Sequence, residues 1–379
     1  MKDLIIEEFI QLVTTFSASR NERAVADLLL AKLRDIGCED VYEDSAGEAI
    51  GGNAGNIHGT LRGSLPGSLL FCAHMDRGEI LSPGGIKPDI QEDKIYSDGS
   101  TILAADDVAG IVTILAALRE LKASGKNHCS VEVLFTVCEE DCVQGSYHAD
   151  YSRIRSRLAY AMDSNGAVGR IVRAAPSGAS LKVELFGRGA HYGSAPENGI
   201  DASLPAARIL LALKQGAADD DTVANFPVLH AGREATYGIC EYAVIQGQVQ
   251  SYSHRKLLDY IRYFEELCRS VTQGTGLELK FDDQVLYEHF EVSENSTAVK
   301  LAFKSLRDLG AEPYTEFGKA CLDSHNFNAH GIQSVALAMG YRLNHSNREY
   351  QEIHQLIKNT RLIQQIVLEY SNNREEYNL

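Results

Sequence analysis

The sequence predicts an α/β domain with a mixed central sheet flanked by helices, interrupted by an inserted α+β unit spanning about 177–292. Three observations carry this. Short continuous apolar runs at 69–73, 131–137 and 158–162 mark strands buried on both faces. Between the first two, 107–121 holds apolar positions at helical spacing. From about residue 177 the texture changes: 181–186 and 242–250 alternate with period two, as half-exposed antiparallel strands do, while 201–215 and 254–271 are helical in period. The outer segments, 1–176 and 293–379, are then expected to form one discontinuous domain.

Residues 2–16 and 21–36 read as amphipathic helices, the second closed by Gly37 as C-cap. The strand at 69–73 runs into His74-Met75-Asp76-Arg77-Gly78. Residues 79–101, rich in Gly, Pro and Asp, read as surface loop with room for a hairpin. A helix is expected over 107–121, ending near Ser124-Gly125. The strand at 131–137 meets Glu139-Glu140, and the one at 158–162 meets Asp163. After the insertion come a helix at 296–309, an apolar strand at 334–339 and a terminal helix near 351–371. Three apolar strands thus end on potential ligands, and open α/β sheets place their sites at the carboxyl ends of strands.

The chain has 379 residues, 44% of them hydrophobic, which is ample for a large core. A net charge of -16 and a pI near 5.2 argue against nucleic acid or acidic membrane as partner, because phosphate surfaces repel such a protein. No apolar run approaches the ~20 residues that span a bilayer. The opening MKDLIIEEFIQLV carries acids and lacks a small-residue cleavage site, so it is not expected to be a secretory signal. Eight scattered cysteines read as reduced, mostly buried thiols in a cytoplasmic protein. Cys138 and Cys142 sit at a strand–helix junction with no second pair to complete a thiolate metal site.

His74 with Asp76, Asp106-Asp107, Glu139-Glu140, Asp163 and His345 are the chemistry-bearing positions. Singly, each has a plain explanation: a loop histidine, an acidic helix N-terminus, a solvated turn. Jointly they do not, because carboxylates gathered on neighbouring strand ends repel one another and need positive charge nearby. Imidazole with carboxylate suits zinc, with cobalt or manganese as alternatives.

The segments AHMD (73–76), LAADDVAG (103–110), TVCEEDCVQGS (136–146), AMDSNG (161–166), GRGAHYGSAPENGIDA (187–202) and NHSNRE (344–349) carry a resemblance. In order and spacing they resemble the motif set of the aminoacylase/peptidase T superfamily of co-catalytic di-zinc metallopeptidases, in its peptidase T-like branch. The resemblance implies a zinc-exopeptidase-like catalytic domain (1–176 and 293–379) with a lid and dimerisation domain at 177–292. It implies two Zn2+ ions: His74 and Asp163 hold one, Glu140 and His345 the other, and Asp106 bridges them. It further implies a cis peptide between Asp106 and Asp107, and Asp76 accepting the second ring N–H of His74 to fix its tautomer. Glu139 becomes the general base and His191 the lid residue that stabilises the oxyanion. A homodimer is implied through the helix at 201–215 and an edge strand near 242–250.

The departures from this pattern lie where substrate is read. Thr236-Tyr237 stands where the family has Thr-Asn, and Gln250 where an arginine pairs with the substrate carboxylate. Cys321-Leu322-Asp323 replaces a Gly-Gly-Ser-Asp loop. Glutamine can hydrogen bond but cannot neutralise a carboxylate. Either the substrate lacks a carboxylate there, or the charge comes from elsewhere, Arg233, Arg255 or Arg188. The leading expectation is an aminopeptidase or tripeptidase acting on short peptides. The alternatives are an N-acyl amino acid amidohydrolase or deacetylase, and a non-catalytic small-ligand binder that retains the metal site.

Overall fold

The computed structural model describes residues 2–78, 85–233 and 238–377. The chain divides into two compact units, Met1–Ala175 with Phe290–Leu379, and Pro176–His289.

The first unit is built on a nine-stranded mixed sheet. Its order is Glu39–Glu43, Ile57–Leu61, Ser130–Thr136, Ser68–His74, Leu158–Ala161, Gln333–Leu337, Arg170–Ala175 and Phe290–Glu291, with Tyr314–Phe317 also pairing Arg170–Ala175. The four strands from Ser130–Thr136 to Gln333–Leu337 run parallel. Alternate side chains of Ser68–His74 show why its apolar run is unbroken. Leu69, Phe71 and Ala73 enter the main core, while Leu70 and Cys72 meet Phe327 and Ile332 on the opposite face. Neither face meets water, so no polar alternation can survive. Burying a leucine or phenylalanine this fully contributes about 1.5–3 kcal/mol, and Phe71→Ala would cost about 3–5 kcal/mol.

The helices Lys2–Thr14, Arg23–Ile36, Thr297–Asp308 and Ile353–Asn372 contribute to the main core. Among them lies Ala105–Ser124, buried along most of its length and apolar on nearly every side, as a helix enclosed by protein must be. Its first turn is not regular: the Asp106–Asp107 peptide bond is cis, and Ala104 has a positive φ of 62°. Gly37 caps Arg23–Ile36 in the left-handed region, at φ 84°.

The hairpin for which 79–101 left room is present: Pro88–Gln91 and Lys94–Ser97 pair, and they join Tyr350–Glu352 and Tyr341–Arg342 in a four-stranded sheet. Residues 351–352, read as the start of the terminal helix, therefore belong to a strand, and the helix begins at Ile353.

The second unit is a five-stranded antiparallel sheet, ordered Gly216–Ala217, Thr222–Ala231, Tyr242–Ser251, Ser177–Phe186 and Glu278–Tyr287. Ser203–Ala212 and His254–Thr272 supply helices to its core. Ser253 caps the latter, its side chain accepting the Lys256 N–H, and Leu257, Tyr260, Ile261, Phe264 and Cys268 form the buried stripe. The expected edge strand near 242–250 is interior, paired on both sides. Two strands carry no clear signal in the sequence. In Thr222–Ala231 the register shifts between Asn225 and Val228, around Pro227, and most of the strand's second half is exposed. Glu278–Tyr287 is an edge with only Tyr287 buried. An apolar signal is weak where little is buried.

Candidate metal centre

The parallel strands converge so that their carboxyl ends bring together candidate ligands from distant parts of the chain. Ser68–His74 ends on His74, Ser130–Thr136 leads into Glu139 and Glu140, and Leu158–Ala161 leads into Asp163. The start of Ala105–Ser124 brings Asp106, and the turn after Tyr341–Arg342 brings His345.

Donor atoms of His74, Asp106 and Asp163 lie within 4.8 Å of one another, and so do those of Asp106, Glu140 and His345. Asp106 is common to both groups. Its Oδ1 lies 3.2 Å from His74 Nε2, and its Oδ2 3.5 Å from His345 Nε2. Glu140 Oε2 is 3.8 Å from the same His345 nitrogen. Gly78 permits this approach: its N–H donates to Glu140 Oε1 at 2.7 Å, and a Cβ would come within 2.5 Å of the His345 ring.

The electrostatics fit a cation site. Burial and the neighbouring Asp106 charge push Asp163 well above the carboxylate range. Burial, opposed by His74, then Asp163 and Asp323, do the same to Glu139. Burial and Asp106, again against His74, raise Glu140 to about 7. Against its own burial, the bonds from His345 and His74 hold Asp106 well below that range. Two imidazoles cannot neutralise this many buried carboxylates; divalent cations among the same oxygens and nitrogens would.

Asp76 is fully buried and holds several parts together. Its Oδ1 accepts the Glu139 N–H at 2.9 Å, and its Oδ2 accepts the Glu140 N–H at 3.1 Å and the Ser19 hydroxyl at 2.7 Å. The His74 Nδ1 lies 2.9 Å from the backbone carbonyl of Asp76 and 3.4 Å from its carboxylate. The nearest acceptor for that ring nitrogen is therefore the carbonyl, and the carboxylate mainly fixes the Glu139-Glu140 backbone.

Glu139 is 5% exposed and lines a cavity of about 600 Å³ together with Asp106, Glu140, Asp163 and His345. Among the described residues its carboxylate accepts no hydrogen bond, so its oxygens are uncommitted.

Three supporting residues lie outside the set singled out from the sequence. Glu349, 1% exposed, accepts the N–H groups of Leu103 and Ala104, each at 2.8 Å, and of Asp106 at 3.2 Å. Tyr341 donates its hydroxyl to Asp163 at 2.9 Å, and the Asn344 amide donates to Asp106 at 2.7 Å. Asn344 and Glu349 both lie in the NHSNRE segment, so its polar residues beyond the histidine are the signal that could have found them.

His191 belongs to the second unit and is exposed there. Its Nδ1 accepts N–H groups from Gly193 and Ser194, each at 3.2 Å, which puts the ring proton on Nε2 as a donor. Thr236 and Tyr237 lie outside the described residues. Gln250 donates to the Tyr287 hydroxyl at 2.9 Å. Arg233 is paired with Glu241, Arg255 lies 4.0 Å from Asp259, and Arg188 donates to the Asn198 carbonyl at 2.6 Å. Burial raises the Cys138 and Cys142 thiols, and neither belongs to a ligand group.

Residues 70–369 match peptidase family M20/M25/M40. The Bacillus subtilis protein YqjE is 30% identical over 366 residues, 96% of this chain and 98% of that protein. The crystal structure of aminopeptidase PepT from Bacillus cereus is similar at a TM-score of 0.86 and 32% identity, covering 97% of this chain and 98% of that one. A tripeptidase from Staphylococcus aureus reaches a TM-score of 0.89 at 27% identity, with the same coverages of 97% and 98%.

Proposed function

The chain belongs to peptidase family M20/M25/M40, and from that premise we propose that it is a metal-dependent hydrolase of amide bonds in small peptides, of the aminopeptidase or tripeptidase kind. The observation that carries this reading is the pair of ligand groups sharing Asp106 beside an uncommitted Glu139 in one cavity.

His74, Asp106 and Asp163 would hold one cation, and Asp106, Glu140 and His345 a second. Their mixture of imidazole and carboxylate suits Zn2+, with Co2+ or Mn2+ as alternatives. Bound there, two divalent ions supply Lewis acidity, polarising the scissile carbonyl and making the attacking water more acidic.

The chain's own residues do the rest. Glu139 takes the proton of the attacking water on a carboxylate oxygen and returns it to the leaving nitrogen. Its buried carboxylate, free of hydrogen bonds among the described residues and lining the same cavity, is placed to accept and release that proton. Asp76 keeps Glu139 and Glu140 in place through their backbone N–H groups. The Nε2–H of His191 is the donor assigned to the carbonyl oxygen as it gains charge.

The second unit would then act as lid. It would also pair two chains through Leu204 and Leu211 on Ser203–Ala212 and Val228 and Leu229 on Thr222–Ala231, apolar side chains 42–87% exposed. No helix among the described residues is long and apolar enough to cross a membrane, and the eight cysteines are free; we place the protein in the cytoplasm.

The test combines metal analysis with a cleavage screen of tripeptides against N-acetyl amino acids. About two metal ions per chain, peptide turnover, and a loss of about 10²–10⁴-fold in Glu139→Gln with metal retained are expected. Preference for N-acetyl amino acids would replace the peptidase reading with the amidohydrolase one. Turnover unaffected by Glu139→Gln would defeat the assignment of the base.

A further inference from the structure

The cavity beside the ligand groups has a second wall that the chemistry above does not use. Arg170, Val172, Phe317, Lys319, Cys321 and Leu322 line it. The stretch 318–322 is strung between two fixed points. At one end Gly318 N donates to the Ala174 carbonyl at 2.7 Å, tying it to the sheet. At the other, buried Asp323 accepts the Thr136 hydroxyl at 2.7 Å and the Cys72 thiol at 3.2 Å. The His325 Nδ1 further lies 2.8 Å from the Leu322 carbonyl, and the His325 N–H donates to that same carbonyl at 2.9 Å. So short a span between anchors keeps Lys319 on the cavity wall.

The charges of this wall are unequal in commitment. Arg170 is already ion-paired: its Nε bonds Glu316 at 2.5 Å, and its Nη1 bonds the Ser164 hydroxyl at 2.7 Å and the Asn165 carbonyl at 2.9 Å. His345 belongs to the ligand groups. Lys319 is exposed and makes no ion pair among the described residues. The same cavity is lined by the carboxylates of Asp106, Glu139, Glu140 and Asp163, so an anionic group entering would be drawn to Lys319, the lining cation without an ion pair among the described residues. Its flexible four-carbon stem can follow carboxylates at somewhat different depths, which a rigid guanidinium fork cannot.

We infer that Lys319 is the specificity-determining residue that receives the substrate's free carboxylate. The cavity then selects peptides that end in a carboxylate over the same peptides ending in an amide. This rests on the hydrolase reading above and adds the residue and the substrate feature. An ammonium–carboxylate contact in a half-enclosed cavity corresponds to roughly tenfold in binding, one charge-assisted hydrogen bond at the modest end of its range.

The experiment compares trialanine with trialanine amide on the metal-loaded, full-length protein and its Lys319→Met and Lys319→Arg variants. The parent is expected to favour the acid by about tenfold in kcat/KM, expressed in KM. Lys319→Met should lose that preference with kcat unchanged, and Lys319→Arg should keep most of it. A parent indifferent to the terminal group, or a Met variant that still prefers the acid, overturns the inference. Should neither peptide be turned over, the hydrolase reading fails separately. Calorimetric affinities of acid and amide for metal-loaded Glu139→Gln, with and without Lys319→Met, then decide: a ratio that collapses supports Lys319, and an unchanged ratio rejects it.

Discussion

Glu349 lies four residues beyond His345 and holds the loop that carries Asp106, so it couples two segments that carry proposed ligands. Replacing it with glutamine changes one oxygen to an amide nitrogen. In the parent, Oε2 accepts both the Leu103 and Ala104 N–H groups and Oε1 accepts that of Asp106. Glutamine can serve the first pair with its oxygen, but then its NH2 confronts the Asp106 N–H, donor against donor. One hydrogen bond to a charged acceptor is lost, worth about 1.5–3 kcal/mol. The loss falls on the residue that must stand between both ligand groups, so it should surface as a metal affinity lowered by about 10–100-fold, as for other supporting partners of ligands. Competition of metal-free protein against a chromophoric chelator, with zinc and with cobalt, reads this directly. Affinity within about threefold of the parent would refute the reasoning, since a supporting partner should cost more than that. A lower melting temperature with intact affinity would reduce Glu349 to a purely structural part.

Asp76→Asn should act in the same direction by a separate route. One of the two N–H groups of Glu139 and Glu140 loses its acceptor, so both metal affinity and kcat fall, by about tenfold or more; unchanged values in both would remove Asp76 from the centre. Away from the site, Glu8 is 4% exposed and bonded by Arg119 at 2.7 Å twice and by Lys32 at 2.8 Å. Burial would raise its carboxyl, but these two cations outweigh burial and hold it below its ordinary 4.5. A depressed folded value means that the stabilisation is present above the unfolded value and lost as pH falls through the folded one. Glu8→Gln should therefore cost about 2 kcal/mol at pH 7, less than the roughly 3–5 kcal/mol of a fully buried pair, because the Arg119 and Lys32 side chains are 28% and 18% exposed. The gap in melting temperature from the parent should narrow as pH falls below the ordinary 4.5 and through the lower folded value, and a gap that does not narrow on acidification would count against the pairing.

Residues whose identity alone limits their use were legible in the chain. Short unbroken apolar runs bounded by polar residues read as strands with no wet face, and the polar residues directly after each run lie at a strand end. That is how His74, Glu139, Glu140 and Asp163 could be named before any fold was known, and the order of the motifs added Asp106 and His345. Tertiary structure decided whatever depends on distance across the sheet. Only folding shows that Asp106 is shared by two groups, that the Asp76 carbonyl lies nearer His74 than its carboxylate, and that Glu349 clamps a loop 243 residues earlier in the chain. The strands Thr222–Ala231 and Glu278–Tyr287 stayed hidden for a related reason. Their partners, not their own composition, make them strands, since an exposed edge is held by backbone hydrogen bonds that no side-chain pattern records. Lys319 is the extreme case. A lysine in a loop is ordinary until the fold sets it in a cavity whose other cations are already engaged.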